Sequence, residues 1–531
     1  MRVLKPSNKW PSAVFMVLVL MGALAYGGGK DKKSFTTRPD ATMWEYEEWA
    51  VTNPFWSGNE YDVVATVTFT HTNTGSTHTT EMFYEGSNTW KFRFTGTRTG
   101  QWIFTTASRD LELNGYTGTV TVKPNPDPNI KGFLTHVGNK YAVQTVDDAH
   151  LEGYLFNVYM NQQDFAMQYH QDKAGPIEDM NRVDDYFDDA AKNGFEVVFY
   201  FLTHHVFKLG VIQQHEHSSV NPDPRTFRRL DYIVRYSHRR GGRVHFWCWG
   251  DAARDQTPKT LPGGINGPVD RRLQRYIAAR LGPLPGWSMG YGYDLIEWAN
   301  IDQRNAWAKY MHDHLGWQHL LSTRGSKLKG PYNIISYSGF GRKNELTTTN
   351  HGPKNYQEIL EDLKSDTSQP HLYEERHTYL RDDFDLDMDG SRRLVWRLAM
   401  AGGMGGFFGY YSQWFNKWGP YKGKYPNPEQ FRTHRTFWRG RFLLDLQRAN
   451  QLCLSGGCVL KDSKSRHYVI YQEDTQSIQV DLPRMAGGQS AVAVDTTKEY
   501  QEIALGRLQP KQQSIKLPNK SDWAIAIGKF E

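Results

Sequence analysis

The chain has 531 residues, 39% hydrophobic and 23% charged, which supplies several cores and excludes global disorder. At about 150 residues per domain this length also excludes a lone small module and suggests three or four domains, or one large barrel with attachments. The net charge of +6, from 63 basic and 57 acidic residues without a long Lys/Arg run, argues against a nucleic-acid partner and is compatible with an acidic glycan.

Arg2, Lys5 and Lys9 precede an apolar run from Ala13 to Tyr26 that contains Ala23-Leu24-Ala25. A basic head, a short apolar middle and small residues at its end predict a secretory signal peptide over 1–25, cleaved after Ala25. The run is short for a membrane span, so an uncleaved signal anchor is the alternative. No later segment reaches 18 uninterrupted apolar residues, so the expectation is a secreted, extracellular protein with no stable membrane insertion after cleavage.

From Met43 to Val122 apolar residues alternate, as at Val63, Ala65, Val67 and Phe69, at Trp90, Phe92 and Phe94, and at Trp102 and Phe104. This period of two, punctuated by Asn, Gly and Ser, predicts an antiparallel β-sandwich over 40–123. Pro124, Pro126 and Pro128 cannot donate to a ladder, so 124–130 reads as a linker.

Beyond it, β runs alternate with helical patterns eight times. The expected strands lie at 154–160, 195–202, 244–249, 287–294, 319–323, 332–337, 371–375 and 405–411. Between the first two, Val183, Tyr186, Phe187, Ala190 and Ala191 mark one face of a helix. Phe227, Leu230 and Val234 mark a second, and Leu273, Ile277 and Leu281 a third. Asn300 followed by Gln303 reads as a capped helix start. Eight β–α rounds predict a (β/α)8 barrel over 131–452, with an open doubly wound sheet as the alternative. From 458 to 531 short strands return, and a second β-sandwich is expected there. The fold class is thus multidomain: a central (β/α)8 barrel flanked by two β-sandwiches.

Three cysteines are present, and Cys453 and Cys458 could close a small disulfide loop in an oxidising compartment. Cys/His ligands at zinc spacing are too few for a metal site. Asp385-Leu386-Asp387-Met388-Asp389-Gly390 copies half a calcium loop, but its twelfth position is Trp396 rather than Glu, which favours a loop and helix cap. Asn519-Lys520-Ser521 is an N-glycosylation sequon.

A barrel places its active site at the C-terminal ends of its strands. Strand four runs into Tyr293-Asp294-Leu295-Ile296-Glu297-Trp298 and strand seven into Tyr373-Glu374-Glu375-Arg376-His377. Two carboxylates across one cleft are what acid-assisted cleavage of a glycosidic bond requires, which selects Glu297 and Glu375. Aromatic and imidazole groups at other strand ends suit sugar stacking and hydroxyl recognition. These are His204 and His205, Trp247 and Trp249, Trp298, Tyr337, Tyr373, His377 and Trp414. The pair His204-His205 lacks a carboxylate at metal-ligand spacing, so no metal is expected, and hydrolysis needs no cofactor.

The order sandwich, barrel, sandwich resembles secreted polysaccharide-degrading glycoside hydrolases of the clan with catalytic carboxylates after strands four and seven. Trp49-Ala50-Val51, Phe83-Tyr84-Glu85-Gly86 and Gly100-Gln101-Trp102 are similar to the fibronectin-like module before such barrels. Arg393-Leu394-Val395-Trp396, leading into Ala401-Gly402-Gly403-Met404-Gly405-Gly406-Phe407-Phe408-Gly409-Tyr410, looks like the apiosidase-like barrel type. The tail from Tyr468 to Ile527 is similar to the module labelled collagen-binding in those proteins. The resemblance implies a nucleophile five residues after the Pro that opens strand seven, and Pro370 leads to Glu375. The clan's Asn-Glu pair on strand four is absent, with Ile296 before Glu297, and apiosidase-like members can use an Asp, which makes Asp294 a rival acid.

The expected function is hydrolysis of a glycosidic bond in a polysaccharide or oligosaccharide. Glu297 or Asp294 protonates the leaving oxygen, its pKa raised by the neighbouring carboxylate, and Glu375 attacks the anomeric carbon. Retention of configuration follows if the carboxyls lie about 5–5.5 Å apart. A non-catalytic carbohydrate-binding or adhesion protein, and a polysaccharide lyase using His204, His205 and Tyr337, are the alternatives.

Overall fold

A computed structural model of the chain describes residues 33–160, 184, 187–188, 190–201, 220–250, 252, 257–292, 295–324, 334–338, 356–363, 370–375, 377–378, 388–402, 404–409 and 428–530. Residues 1–25, expected to be a signal peptide, lie outside the described residues.

Two sheets build the N-terminal module. Strands Arg38–Thr42, Thr117–Lys123, Gly100–Ser108, Ala65–His71 and Thr77–Glu81 form one in that order, and Tyr46–Thr52, Thr89–Thr95 and Phe83–Gly86 form the other. Alternation works as the sequence suggests: Ala65, Val67 and Phe69 are buried while Thr66, Thr68 and Thr70 are half-exposed between them. Within the smaller sheet Trp49 stacks on its cross-strand neighbour Phe92 at 5.3 Å, and across the two sheets Phe69 stacks on Phe94 at 4.3 Å. One pairing departs from the antiparallel expectation, since Arg38–Thr42 runs parallel to Thr117–Lys123.

The proline-rich segment after this module is tied down: Asn125 Nδ2 donates to Met43 O at 3.0 Å and Ile130 is buried. It leads into a three-stranded antiparallel sheet, Leu134–Val137, Lys140–Gln144 and Leu151–Gly153, where no strand was expected. The residues just before this small sheet meet the central part of the chain. Arg243, the first residue of the strand Arg243–Trp249, donates to Gly132 O at 3.2 Å, and His238 Nε2 donates to Lys131 O at 2.7 Å.

The central sheet is a closed ring. Its eight strands are Val158–Met160, Val197–Phe201, Arg243–Trp249, Trp287–Gly292, Leu321–Arg324, Ile334–Ser338, His371–Glu375 and Met404–Gly409. Each pairs in parallel with the next, and the eighth pairs in parallel with the first, Gly406 opposite Val158. A sheet closed in this way has no free edges, unlike an open doubly wound sheet. The two-residue strand His377–Thr378 lies beside the eighth.

Among the described residues six named helices accompany the ring: Pro224–Arg239, Pro268–Leu281, Ile301–Leu315, Tyr356–Leu363, Met388–Ala401 and Pro428–Trp438. The ring is therefore shown, and a complete eightfold alternation with helices is not. Local chemistry starts these helices where the sequence indicates. Asp223 caps Pro224–Arg239 by accepting from Arg225 N, with Pro at the first position. Asn300 and Gln303 form the reciprocal cap of Ile301–Leu315.

That last helix ends at Gly316 with φ 70°, and a β-carbon there would stand 2.2 Å from Thr79 O of the N-terminal module. Both the left-handed backbone and the close approach demand glycine. Gly316→Ala is expected to lower stability by about 1–3 kcal/mol, read as a lower urea midpoint; an unchanged midpoint would show that the two modules do not touch at this point.

After the ring, one six-stranded antiparallel sheet replaces the expected second sandwich. Its order is Gln447–Arg448, Cys458–Lys461, Tyr468–Asp481, Gln512–Ile527, Gln489–Asp495, Ile503–Leu508. The two long strands shift register between Gln472 and Ser477, and such irregularities bend a ladder. Tyr468, Ile470, Ile478, Val480, Trp523 and Ile525 share one core on one side of the sheet. The intervening Val469, Tyr471, Ala524 and Ala526 join the central core instead, where Tyr471 stacks on Trp396 at 5.3 Å. A single sheet suffices because one face makes its own core and the other covers the ring's helices.

Cys453 and Cys458, whose spacing would allow a disulfide loop, are free thiols. Cys453 Sγ instead accepts from Gly457 N at 3.2 Å, and burial pushes the Cys458 thiol up to about 12.

Candidate functional site

Because all eight ring strands run the same way, their C-terminal ends, including Trp249, Gly292, Ser338 and Glu375, emerge at one end of the ring. The fourth strand stops at Gly292, and a short 3-10 turn, Leu295–Glu297, follows it. Leu295 is fully buried and Glu297 is exposed. Glu375 is the last residue of the seventh strand. The backbones of both chosen glutamates thus belong to the same end of the ring, after the fourth and seventh strands. Asp294, the rival acid, lies outside the described residues.

The seventh strand carries an irregularity at its end. Tyr337 pairs with Tyr373, but the next residue, Ser338, pairs with Glu375, so Glu374 is skipped. Adjacent strand residues ordinarily face opposite sides, which would separate Glu374 from Glu375, and that alternation is interrupted there. Tyr337, Tyr373, Glu375 and His377 occupy strand positions, and their side chains lie outside the described set. His204, His205 and Trp414 lie wholly outside it, as do Asp385 and Asp387. Asp389 is exposed and pairs with Arg392 of its own helix, in keeping with a capping role.

The three remaining tryptophans of the expected sugar surface are buried: Trp247 is 1% exposed, Trp249 0% and Trp298 4%. As placed here they do not offer a face to a sugar, and Trp249 and Trp298 belong to the core that the ring shares with its helices. The third strand reads Arg243-Val244-His245-Phe246-Trp247-Cys248-Trp249, and alternation divides it. Val244, Phe246 and Cys248 join the core with the helices, where burial pushes the Cys248 thiol well up. His245 lies with the other set: its Nδ1 hydrogen-bonds Ser288 Oγ at 2.8 Å and its Nε2 lies 3.5 Å from Ser322 Oγ. A β-carbon at Gly290 would come 2.9 Å from Ser322 Oγ and 3.0 Å from Trp247 Cδ1. The ring interior at this level is thus packed with His245, Ser288, Ser322 and Trp247, a polar layer that the strand-end search did not find. The alternation of His245 with Trp247 and Trp249 was the available signal.

Outside the ring, Tyr291 ties the fourth strand to two helices. Its hydroxyl donates to Asp270 Oδ2 at 2.6 Å, and its ring stacks on Trp307 at 4.7 Å. Burial pushes the Asp270 carboxyl up, opposed by its hydrogen bonds from Tyr291 and Asn266 N. Among the described residues no group of three or more His, Cys, Asp or Glu could hold a metal ion, and no helix is long and apolar enough to cross a membrane.

Residues 40–109, within the N-terminal module, match a family model described as a domain of unknown function, DUF5060. No curated protein matches the chain in sequence. Among solved structures, a candidate glycoside hydrolase from Bacteroides vulgatus is 14% identical, with 92% of this chain and 100% of that one covered and a TM-score of 0.66. A glycoside hydrolase family 5 structure from the same species is 11% identical over 76% of this chain and 93% of its own, with a TM-score of 0.55. A further structure named simply glycoside hydrolase is also 11% identical, over 76% of this chain and 97% of its own, at 0.55. Identities this low speak for architecture rather than for a particular reaction. The chain therefore has a fold shared with glycoside hydrolases.

Proposed function

We propose that this protein is a secreted glycoside hydrolase acting on a polysaccharide or oligosaccharide. In this reading residues 1–25 are a signal peptide, 40–123 and 458–531 are accessory β-modules, 124–130 is a linker, and 131–452 is a catalytic (β/α)8 barrel. Glu375 attacks the anomeric carbon, and Glu297, or failing it Asp294, gives its proton to the leaving oxygen as the glycosidic bond breaks. Water, activated by the same acid in its basic form, then releases the sugar from Glu375. The observation that carries the reading is the position of the two glutamates after the fourth and seventh strands of a closed parallel ring. That ring belongs to a fold shared with glycoside hydrolases.

A second reading, a non-catalytic carbohydrate-binding protein, draws on Ile296 in place of Asn before Glu297 and on the exposure of Glu297 in a turn beyond the strand. Release of reducing ends from neutral and acidic plant and algal polysaccharides separates the two. Residues 26–531 are expected to cleave at least one of these glycans. Glu375→Gln and one of Glu297→Gln or Asp294→Asn are expected to lose about 100-fold or more in kcat. Unchanged rates in all three variants would overturn the assignment, and binding without cleavage by the wild type would establish the second reading.

A further inference from the structure

We infer that Trp298 is a positioning residue whose indole, seated on Gly292, holds the turn that carries Glu297. The inference rests on the reading of Glu297 as the general acid. It gives a buried tryptophan next to the site a role other than stacking on sugar.

The geometry runs from the strand outward. Gly292 closes the fourth strand, and a β-carbon there would lie 2.8 Å from Trp298 Cζ2, 2.9 Å from Trp249 O and 3.2 Å from Trp249 Cβ. Only a residue without a side chain lets the indole settle at that depth. Trp298 is 4% exposed, and its ring lies 5.2 Å from that of Tyr291. Tyr291 is itself held by Asp270 and Trp307 on the neighbouring helices. On the other side of the turn Leu295 is fully buried, and its carbonyl accepts from Trp298 N at 3.2 Å and Ala299 N at 2.8 Å. The turn is therefore pinned at both ends, by Leu295 and by Trp298, with Glu297 exposed between them.

An exposed carboxylate has no packing of its own to set its position, so the backbone that bears it must do so. Proton transfer demands approach to within hydrogen-bond reach of the leaving oxygen, and a displacement of about 1 Å can cost about 100-fold in rate. Moving the indole off Gly292 releases the turn and displaces the acid while leaving the nucleophile's strand untouched.

Leaving-group dependence isolates this effect. A phenyl glycoside needs its oxygen protonated as the bond breaks, whereas 2,4-dinitrophenolate departs without help. The full chain, Trp298→Phe, Trp298→Ala, Gly292→Ala and Glu297→Gln are assayed on phenyl and 2,4-dinitrophenyl glycosides of glucose, xylose, galactose and arabinose. Melting temperature and near-ultraviolet circular dichroism are recorded for each. Folded Trp298 and Gly292 variants are expected to lose about 10- to 100-fold in kcat/KM, which reports the first bond cleavage, on the phenyl substrate and to stay within about threefold in kcat/KM on the dinitrophenyl one. The pattern follows that of Glu297→Gln in weaker form. If Trp298→Ala does not fold, Trp298→Phe and Gly292→Ala decide. Equal losses on both substrates, or no loss on either, in variants of native melting temperature would overturn the positioning role while Glu297→Gln still showed the acid's signature. Equal losses in Glu297→Gln itself, or no turnover of any glycoside by the wild type, would remove the underlying reading and the inference with it.

Discussion

Asp231→Ala is expected to destabilise the protein by about 3–5 kcal/mol, because it takes from two buried guanidinium groups the carboxylate they share. Asp231 lies on Pro224–Arg239 and accepts from Arg93 Nη1 and Nη2 at 2.8 and 2.7 Å, and from Arg280 Nη2 at 2.7 Å. Arg93 comes from the N-terminal module and Arg280 from the next helix of the ring, so one carboxylate joins three elements. The side chains of Arg93, Asp231 and Arg280 are 3%, 8% and 1% exposed. Arg93 also donates to Glu48 at 2.8 Å, and Arg280 pairs with Glu85. Burial alone would push the Asp231 carboxyl up, but Arg280 and Arg93 overcome it and hold it at about 2. Its contribution is therefore present above the ordinary carboxylate range near 4 and is lost as pH falls from there towards 2. Urea unfolding at pH 7 measures the effect. A loss below about 1 kcal/mol would mean that water reaches the cluster and screens it as it does an exposed pair such as Lys123–Asp40.

A second large effect is expected on acidification. Burial pushes the imidazoles of His238, His319 and His434 down to about 3, 4 and 3, from an ordinary value of 6.5. Arg243 adds to the effect at His238, while hydrogen bonds to backbone carbonyls work against it at all three. His319 shows the constraint: its Nε2 donates to Gly282 O at 2.7 Å, and its ring is stacked on Trp287 at 3.9 Å. Below pH 6.5 the unfolded chain binds protons that the folded chain cannot, so stability falls as pH drops from 6.5 to about 4. Glu196 and Asp270, pushed up by burial, act in the opposite sense and gain as pH falls. With three imidazoles shifted this far, a net loss on the order of several kcal/mol is expected by pH 4. Melting temperatures at pH 7.5, 6, 5 and 4 test this, and a flat profile would show that these rings are not sealed in the folded protein.

The ring strands were legible because fully buried β runs carry few polar residues and are bounded by helical periods. All eight fall within a few residues of their expected places, from Val158–Met160 to Met404–Gly409. The sheet from Leu134 to Gly153 was not legible. Tyr141, Ala142 and Val143 are buried in succession, so its central strand lacks the alternation that marks a hairpin. The tail misled in another way: its strands read correctly as β, but no local pattern tells one folded sheet from two stacked ones.

At the candidate site, strand position led to Glu297 and Glu375, and the register irregularity opposite Ser338 could not be foreseen. Nor could the burial of Trp247, Trp249 and Trp298, since an aromatic at a strand end looks the same whether it faces solvent or fills a floor. By itself, then, the sequence determined most of the β and α segments, the helix cap at Asn300, and the strand-end glutamates, all of which follow from periodicity and short-range hydrogen bonding. Only the tertiary structure decided that the eighth strand closes on the first and that Asp231 joins two modules. It also decided that Gly292 admits an indole. These depend on pairings between residues more than 100 positions apart, or on steric contact across a turn, which no local pattern encodes.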